Sequence, residues 1–362
     1  MIRTVFNWKV DRPMLSMVLI CCILGLFVLY SASGESIDLI IKQSVRIGIG
    51  LVVMLFLAQV APENLARWTP YLYLLGLIML IAVLFFGSIG KGAQRWLELG
   101  FFRFQPSELM KLAVPMMVAW VLTKQPLPPS KSTLLMAFAI LLFPVAFIIV
   151  QPDLGTSILI GASGFVVIFL AGLSWRFLLA MLIASAVALP VVFWTLLHEY
   201  QRQRVLTLFD PWSDPLGSGY HTIQSMIAIG SGGLQGKGWL DGSQSQLEFI
   251  PERKTDFIFS VLSEEFGLIG FGILMLIYLL IVFRGLYIAF YTQNTYSRLL
   301  AGSLSLTFFF YVFVNIGMVS GVLPVVGVPL PLVSYGGTSM VTLMAGFGIL
   351  MSIRTHRNLM SG

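Results

Sequence analysis

The sequence predicts an all-α polytopic membrane protein: ten transmembrane helices, with one long extracytoplasmic loop between helices 7 and 8. Three observations lead there. Of 362 residues, 57% are hydrophobic and only 10% charged, against about 25% charged in a soluble domain. The mean hydropathy is +0.91. Apolar runs near the roughly 20 residues needed to cross a bilayer recur along the whole chain. Each run is read as a helix, because an open strand would leave backbone groups unpaired in lipid.

Taken in order, the expected spans are 14–33, 44–60, 71–88, 107–122, 133–150, 155–172, 176–196, 257–284, 300–320 and 333–353. The first follows a basic stretch, "MIRTVFNWKVDRP", with no small-residue cleavage site after it, and reads as a retained signal anchor. Span four opens on "QPSELMKL", where Pro106 and Ser107 suit a helix start. Between spans seven and eight lies the longest connection, 197–256, rich in Gly, Ser and Gln. Loops of that length are functional or disordered. Inside it, Ile223, Met226 and Ile227 share one face, as in a helix lying in the membrane interface or an ordinary loop helix. Three prolines and the pair Gly336–Gly337 break the apolar run before span ten. There is no second domain, so residues 1–362 are read as one membrane unit.

The formal charge of +6 is thinly spread, and no basic cluster with interleaved aromatics suggests nucleic acid. Cys21 and Cys22 are adjacent and cannot staple a fold. His198, His221 and His356 lie far apart and read as loop residues. An even number of spans puts both termini on one side. With cytoplasmic termini, half of the 22 Lys and Arg fall on each side, so the tally alone decides nothing. Five of the outer ones lie in the 197–256 loop, at the margin of the range over which the charge rule acts. Cytoplasmic termini are favoured, and the remaining outer cations then suit an anionic substrate.

In that orientation five polar segments gather at the outer face: 90–112, "QPDLGTS" (151–157), the long loop, "PERKTDF" (251–257) and "PLPLVSYGGTS" (329–339). Asp256, Ser260, Ser263 and Glu264 would form one stripe on span eight. Carboxylates within a membrane are costly and mark function. Asp256 reads either as a helix N-cap or as a reactive group. Glu264 and Glu265, about 12 Å deeper at 1.5 Å per residue, read as structural polar support. Asp153 reads as a capping or loop-orienting group. Glu108 and Lys111 are an i,i+3 pair: a local salt bridge, or a phosphate site built on the Lys111 ammonium. The helix starting near Thr338 would point free N–H groups at an anion, or be a plain kinked loop.

These segments also carry a resemblance. "NIGMVSGVLPVVGVPLPLVSYGGTS", with Asn315, Gly321, Pro324, Gly327, Ser334, Gly336–Gly337 and Ser339, resembles the signature of the SEDS family (shape, elongation, division and sporulation). "QPSE", "QPDLGTS", "GGLQGKG" and "TDFIFSVLSEEFG" match in order, so nearly the whole chain is covered. "FIPERKTDF" looks more like the rod-shape branch than the division branch, although Lys254 stands where histidine is frequent. The resemblance implies a glycosyltransferase that polymerises lipid II at the periplasmic face of the bacterial inner membrane during elongation. It also implies a class B penicillin-binding protein (PBP2-type transpeptidase) and elongation-complex membrane proteins as partners, and Asp256 as the catalytic carboxylate.

The mechanism expected is a one-step inverting displacement, with Asp256 as base. Lys111, Glu108, Arg95, Arg103, Lys237, Ser334, Thr338 and Ser339 are the candidates for contacting pyrophosphate or sugar. Mg²⁺ or Mn²⁺ is the ion such chemistry could use, without an organic cofactor. The rivals are a lipid II flippase or transporter, a pure scaffold for the partner synthase, and the division paralogue.

Overall fold

The computed structural model describes residues 9–90, 93–98, 103–195, 202, 206–208, 210–215, 217, 219–247, 249–250 and 252–356. His198 and Arg204 lie outside the described residues. The chain is mostly helical. It runs α1 (Arg12–Ala32), α2 (Ile37–Gln59), α3 (Pro62–Phe86), α4 (Pro106–Leu122), α5 (Lys131–Val150), α6 (Leu154–Leu170) and α7 (Trp175–Thr195). After the long loop, with its short helices α8 (Tyr220–Ser231) and α9 (Ser243–Gln246), come α10 (Ile258–Phe290), α11 (Thr295–Val319) and α12 (Thr338–Thr355). Among the described residues, α1–α3, α5 and α10–α12 are long and apolar enough to cross a membrane. Helices α4, α6 and α7 fall on the other three expected segments, α4 and α6 with 17 residues each and α7 with 21 mostly apolar ones.

Several boundaries move for visible reasons. Helix α2 begins at Ile37, ahead of the apolar run, with Asp38, Lys42 and Gln43 in its first two turns, and Asp38 pairs with Lys42 at 2.6 Å on its exposed face. Helix α3 starts at Pro62, where proline costs no hydrogen bond, with Glu63 in the first turn. Between α3 and α4 the sequence leads to no regular structure. The chain there forms a small antiparallel sheet in the order β1 (Ser88–Gly90), β2 (Ala93–Glu98), β3 (Arg103–Phe104).

The bundle is inside out relative to a soluble protein. Large apolar side chains such as Ile23, Val52, Tyr71, Phe85 and Phe283 are exposed, while Gln43, Glu108, Asp153, Glu264, Glu265 and Asn315 are buried. Helix α7 leaves most of its described apolar surface uncovered, including Trp175, Leu182, Val187 and Trp194. One end, here the upper end, is where α1 and α11 finish and α2, α4, α6 and α12 begin. Asp11 at the start of α1 pairs with Arg284 of α10 at 2.5 Å, and Ser31 at its end bonds Glu265. This sets the antiparallel course of α1 against α10.

The eighth expected span is not one straight helix. At Gly267 the backbone takes φ 62, ψ −155, and α10 breaks. The phenyl rings of Phe259 and Phe271 then meet at 5.6 Å between centroids, where a straight helix would hold them about 18 Å apart. So the 258–266 arm folds back along the upper part of the 268–290 arm. Residues 232–238, the "GGLQGKG" stretch, satisfy the groups freed by the break. Lys237 N–H donates to Glu264 O at 3.0 Å and Gly238 N–H to Glu265 O at 3.1 Å; Leu268 N–H donates to Gly233 O and Ile269 N–H to Leu234 O. A Cβ on Gly267 would lie 2.4 Å from Gly236 N, so this position needs glycine for space as well as for φ.

The fold-back reverses the expected depth order. Glu265 sits at the upper end beside the last turn of α1, while the carbonyl of Asp256 is held by Asn315, a turn inside the end of α11. Helix α8 packs across α10 and α11, burying Thr222, Ile223, Ser225 and Ala228. Met226 and Ile227 are not among its buried residues.

Candidate active site

A cavity of about 180 Å³ opens at the upper end between β2, the starts of α4, α6 and α12, and the 327–337 loop. Arg95, Gln105, Glu108, Lys111, Asp153, Tyr311, Gly327, Gly336, Gly337, Thr338 and Ser339 are among the residues that line it.

Each polar group arrives from a helix end. Pro106 starts α4 and sets Glu108 and Lys111 one turn in, where they pair at 2.7 Å, nearly buried. The Lys111 ammonium also stands 5.3 Å over the Tyr311 ring. The second carboxylate oxygen of Glu108 is buried and accepts no hydrogen bond from the described residues. Asp153 caps α6, accepting from Thr156 N–H at 3.2 Å. It also accepts from Gln105 at 3.2 Å and lies 3.6 Å from Arg95. Arg95 donates to Pro152 O at 3.0 Å. Asp153 is thus a capping and bracing group. Helix α12 starts at Thr338 with no side-chain cap, its first turn at the cavity wall.

Asp256 reaches this cavity across Gly327. Gly327 has φ +71, and a Cβ built there would stand 3.5 Å from Asp256 Oδ2. With no side chain at Gly327, the half-buried carboxylate of Asp256 stands close behind the cavity wall. The N-cap residue of α10 is Phe257, so Asp256 lies one position before the cap. Its turn is fixed by three consecutive carbonyls. Lys254 O accepts from Tyr335 N–H at 2.9 Å, Thr255 O from the Ser334 hydroxyl at 2.6 Å, and Asp256 O from the Asn315 amide at 2.9 Å.

Three residues expected at substrate lie elsewhere. Arg103 is exposed on β3 and pairs with Glu98 at 3.1 Å. Lys237 is bound to Glu264 and to Ser243, each at 2.8 Å. The Ser334 hydroxyl is buried, donating to Thr255 O and accepting from Leu330 N–H. In each case a local partner claims the group. Glu264 also accepts from the backbone N–H groups of Gln244 and Ser245, so it fastens the 237–245 loop to the 258–266 arm.

The sequence reading missed Arg46. This half-buried guanidinium of α2 lies 4.4 Å over the Tyr335 ring, and its Nε would be 3.7 Å from a Cβ on Gly337. It has no carboxylate partner among the described residues. In the sequence it is only one of the remaining outer cations, with nothing to set it apart from Lys42. Gln43, one turn earlier, donates to Ser334 O and accepts from Gly336 N–H, both at 3.3 Å.

Among the described residues, no three His, Cys, Asp or Glu side chains converge closely enough to hold a metal ion. Both cavity carboxylates already face a cation, Glu108 facing Lys111 and Asp153 facing Arg95. The described residues do not build a resident Mg²⁺ or Mn²⁺ site.

Residues 11–359 match the cell cycle protein family of FtsW, RodA and SpoVE. The chain is 55% identical to the peptidoglycan glycosyltransferase MrdB of Escherichia coli K12, over 97% of this chain and 95% of the relative. It is 34% identical to a probable peptidoglycan glycosyltransferase FtsW of Geobacter sulfurreducens, over 96% of each. Among solved structures, a chain of a peptidoglycan synthase complex that coordinates polymerisation and crosslinking aligns with TM-score 0.85 and 32% identity, over 97% of this chain and 99% of that one. The rod shape determining protein RodA of Thermus thermophilus aligns with TM-score 0.73 and 30% identity, over 96% and 98%. With the family match spanning almost the full length and a curated relative above half identity, this chain belongs to the FtsW/RodA/SpoVE family, the SEDS proteins.

Proposed function

We propose that the protein is a peptidoglycan glycosyltransferase that polymerises lipid II into glycan strands, in the elongation rather than the division branch of its family. The observation that carries the reading is Asp256, whose carboxylate adjoins a polar cavity across Gly327. All ten long helices cross the inner membrane, both termini are cytoplasmic, and the cavity faces the periplasm. The higher identity to MrdB than to FtsW relatives supports the elongation branch. The partner is a class B penicillin-binding protein, which would crosslink the strands made here; the likeness to a chain of a synthase complex supports it.

In this mechanism Asp256 accepts the proton of the acceptor 4-hydroxyl as that oxygen attacks C1 of the donor sugar. The bond from C1 to the undecaprenyl pyrophosphate oxygen breaks in the same step. A single displacement turns an α linkage into β. Charge grows on the leaving pyrophosphate, and preorganised donors stabilise it. Arg46 and the first turn of α12 are cavity-side groups that no carboxylate among the described residues neutralises. Lys111 contributes less net charge, because Glu108 offsets it.

The lining below the cavity counts against a flippase. It turns to Leu304, Phe308, Leu343, Phe347 and Leu350, with about 40 Å³ of free space. Among the described residues, only Thr307 and Thr342 add polar groups to this lower lining, which suits a charged headgroup poorly. The test is polymerisation of labelled lipid II by purified protein, with and without the partner synthase. Wild type should polymerise and a folded Asp256→Ala should not. Polymerisation at the wild-type rate by Asp256→Ala would refute the assignment.

A further inference from the structure

We infer that Asn315 is the positioning residue for Asp256, an inference that rests on the catalytic reading of that carboxylate. Asn315 lies on α11 and is fully buried. Its amide nitrogen carries two hydrogens, and both are used. One goes to Asp256 O at 2.9 Å and the other to Val328 O at 2.7 Å. Both partners are carbonyls, so only the NH₂ side of the amide can face them. The two acceptors lie on separate stretches of chain. Asp256 ends the turn that leads into α10, and Val328 follows Gly327 in the cavity wall. The amide is therefore a fork that sets the spacing between the reactive carboxylate and the wall it must reach across.

The other two carbonyl anchors of that turn come from Ser334 and Tyr335 in the loop. Asn315 supplies the anchor from a regular helix, packed along both α6 and α10. It ties Asp256 to the rigid part of the bundle. The amide is not there for its own satisfaction: its Oδ1 is buried and accepts no hydrogen bond from the described residues. A leucine of similar size would leave no such orphan. The two donors are what the site uses.

The experiment uses the full-length protein with its partner synthase and lipid II. Asn315→Asp keeps the shape but turns the fork into an acceptor, and Asn315→Ala removes it without new charge. We expect kcat to fall about 100-fold, as for a reactive group displaced by about 1 Å. KM and lipid II binding should stay within about twofold, because Asn315 does not line the cavity. A folded variant with wild-type kcat, or with a loss carried equally by KM and binding, overturns the inference. If both variants fail to fold, the amide holds the bundle rather than the carboxylate, and the inference fails as well. Wild type and Asp256→Ala run alongside separate the two readings. If wild type does not polymerise, the proposed function falls; if it does and the Asn315 variants match it, only the positioning role falls.

Discussion

The rings of Phe259 and Phe271 pack edge to face at 5.6 Å, because α10 doubles back at Gly267. Asp256 rides on the folded-back arm, so this hairpin decides where the carboxylate points. Gly267→Ala should therefore act on both stability and rate. Its φ and ψ fall in a region open almost only to glycine, worth about 1–3 kcal/mol of strain. The added Cβ would also press on the backbone of Leu234 and Gly236. Thermal unfolding of the purified protein should shift clearly downward, and lipid II polymerisation should fall with it. A Gly267→Ala protein with wild-type melting and rate would mean the hairpin is not required.

Glu264 is the counterpart on the loop side. Its carboxylate accepts from Lys237, Ser243 and two backbone N–H groups. Glu264→Ala removes the acceptor of those donors and frees the 243–245 end of the loop from the arm, while the backbone bonds of Lys237 and Gly238 remain. Limited proteolysis should cut this loop several-fold faster in the variant. Lys237→Ala should do less, since the two backbone donors remain on Glu264. Equal cutting in wild type and Glu264→Ala would show that other contacts hold the loop.

How much of this was written in the sequence varies by feature. The apolar runs mark every long helix, because hydrophobic length is a local property. The carboxylates of 256–265 are equally plain, because a charge inside an apolar run stands out. The break between them is not. "EEFGLIGFGILM" continues the apolar run through Gly267, and no periodicity records one glycine's φ. What licenses the break is the docked 232–238 stretch, a contact distant in sequence. The same blindness explains the cations. Arg103, Lys237 and Arg46 look alike as charges, and only their neighbours Glu98, Glu264 and Tyr335 tell them apart.

Arg46 should matter for substrate binding. Arg46→Ala removes a cation beside Gly337 that no carboxylate among the described residues neutralises. KM for lipid II should rise about tenfold, with a smaller change in kcat. Arg46→Lys keeps the charge but loses the planar fork and much of the stacking on Tyr335, and should fall between. The penalty should shrink at high salt, because exposed charge interactions are screened. Steady-state kinetics at two ionic strengths measure this, and an unchanged KM in Arg46→Ala would remove Arg46 from the substrate site.

The Lys111–Glu108 pair needs a test that separates folding from binding. Both side chains are nearly buried, so removing either leaves a buried charge without its partner. Such single losses cost about 3–5 kcal/mol, whereas replacing both members is often neutral. Lys111→Met and Glu108→Gln should each destabilise the protein, and the double variant should recover most of the melting temperature. If the pair only braces α4 against Tyr311, the double variant should also recover polymerisation. If the pair contacts substrate, it should fold but remain slow. The cavity position of both residues predicts the second result: restored folding, with the rate still depressed by at least about tenfold. Recovery of the wild-type rate in the double variant would assign the pair to folding alone and leave the pyrophosphate to Arg46 and the first turn of α12.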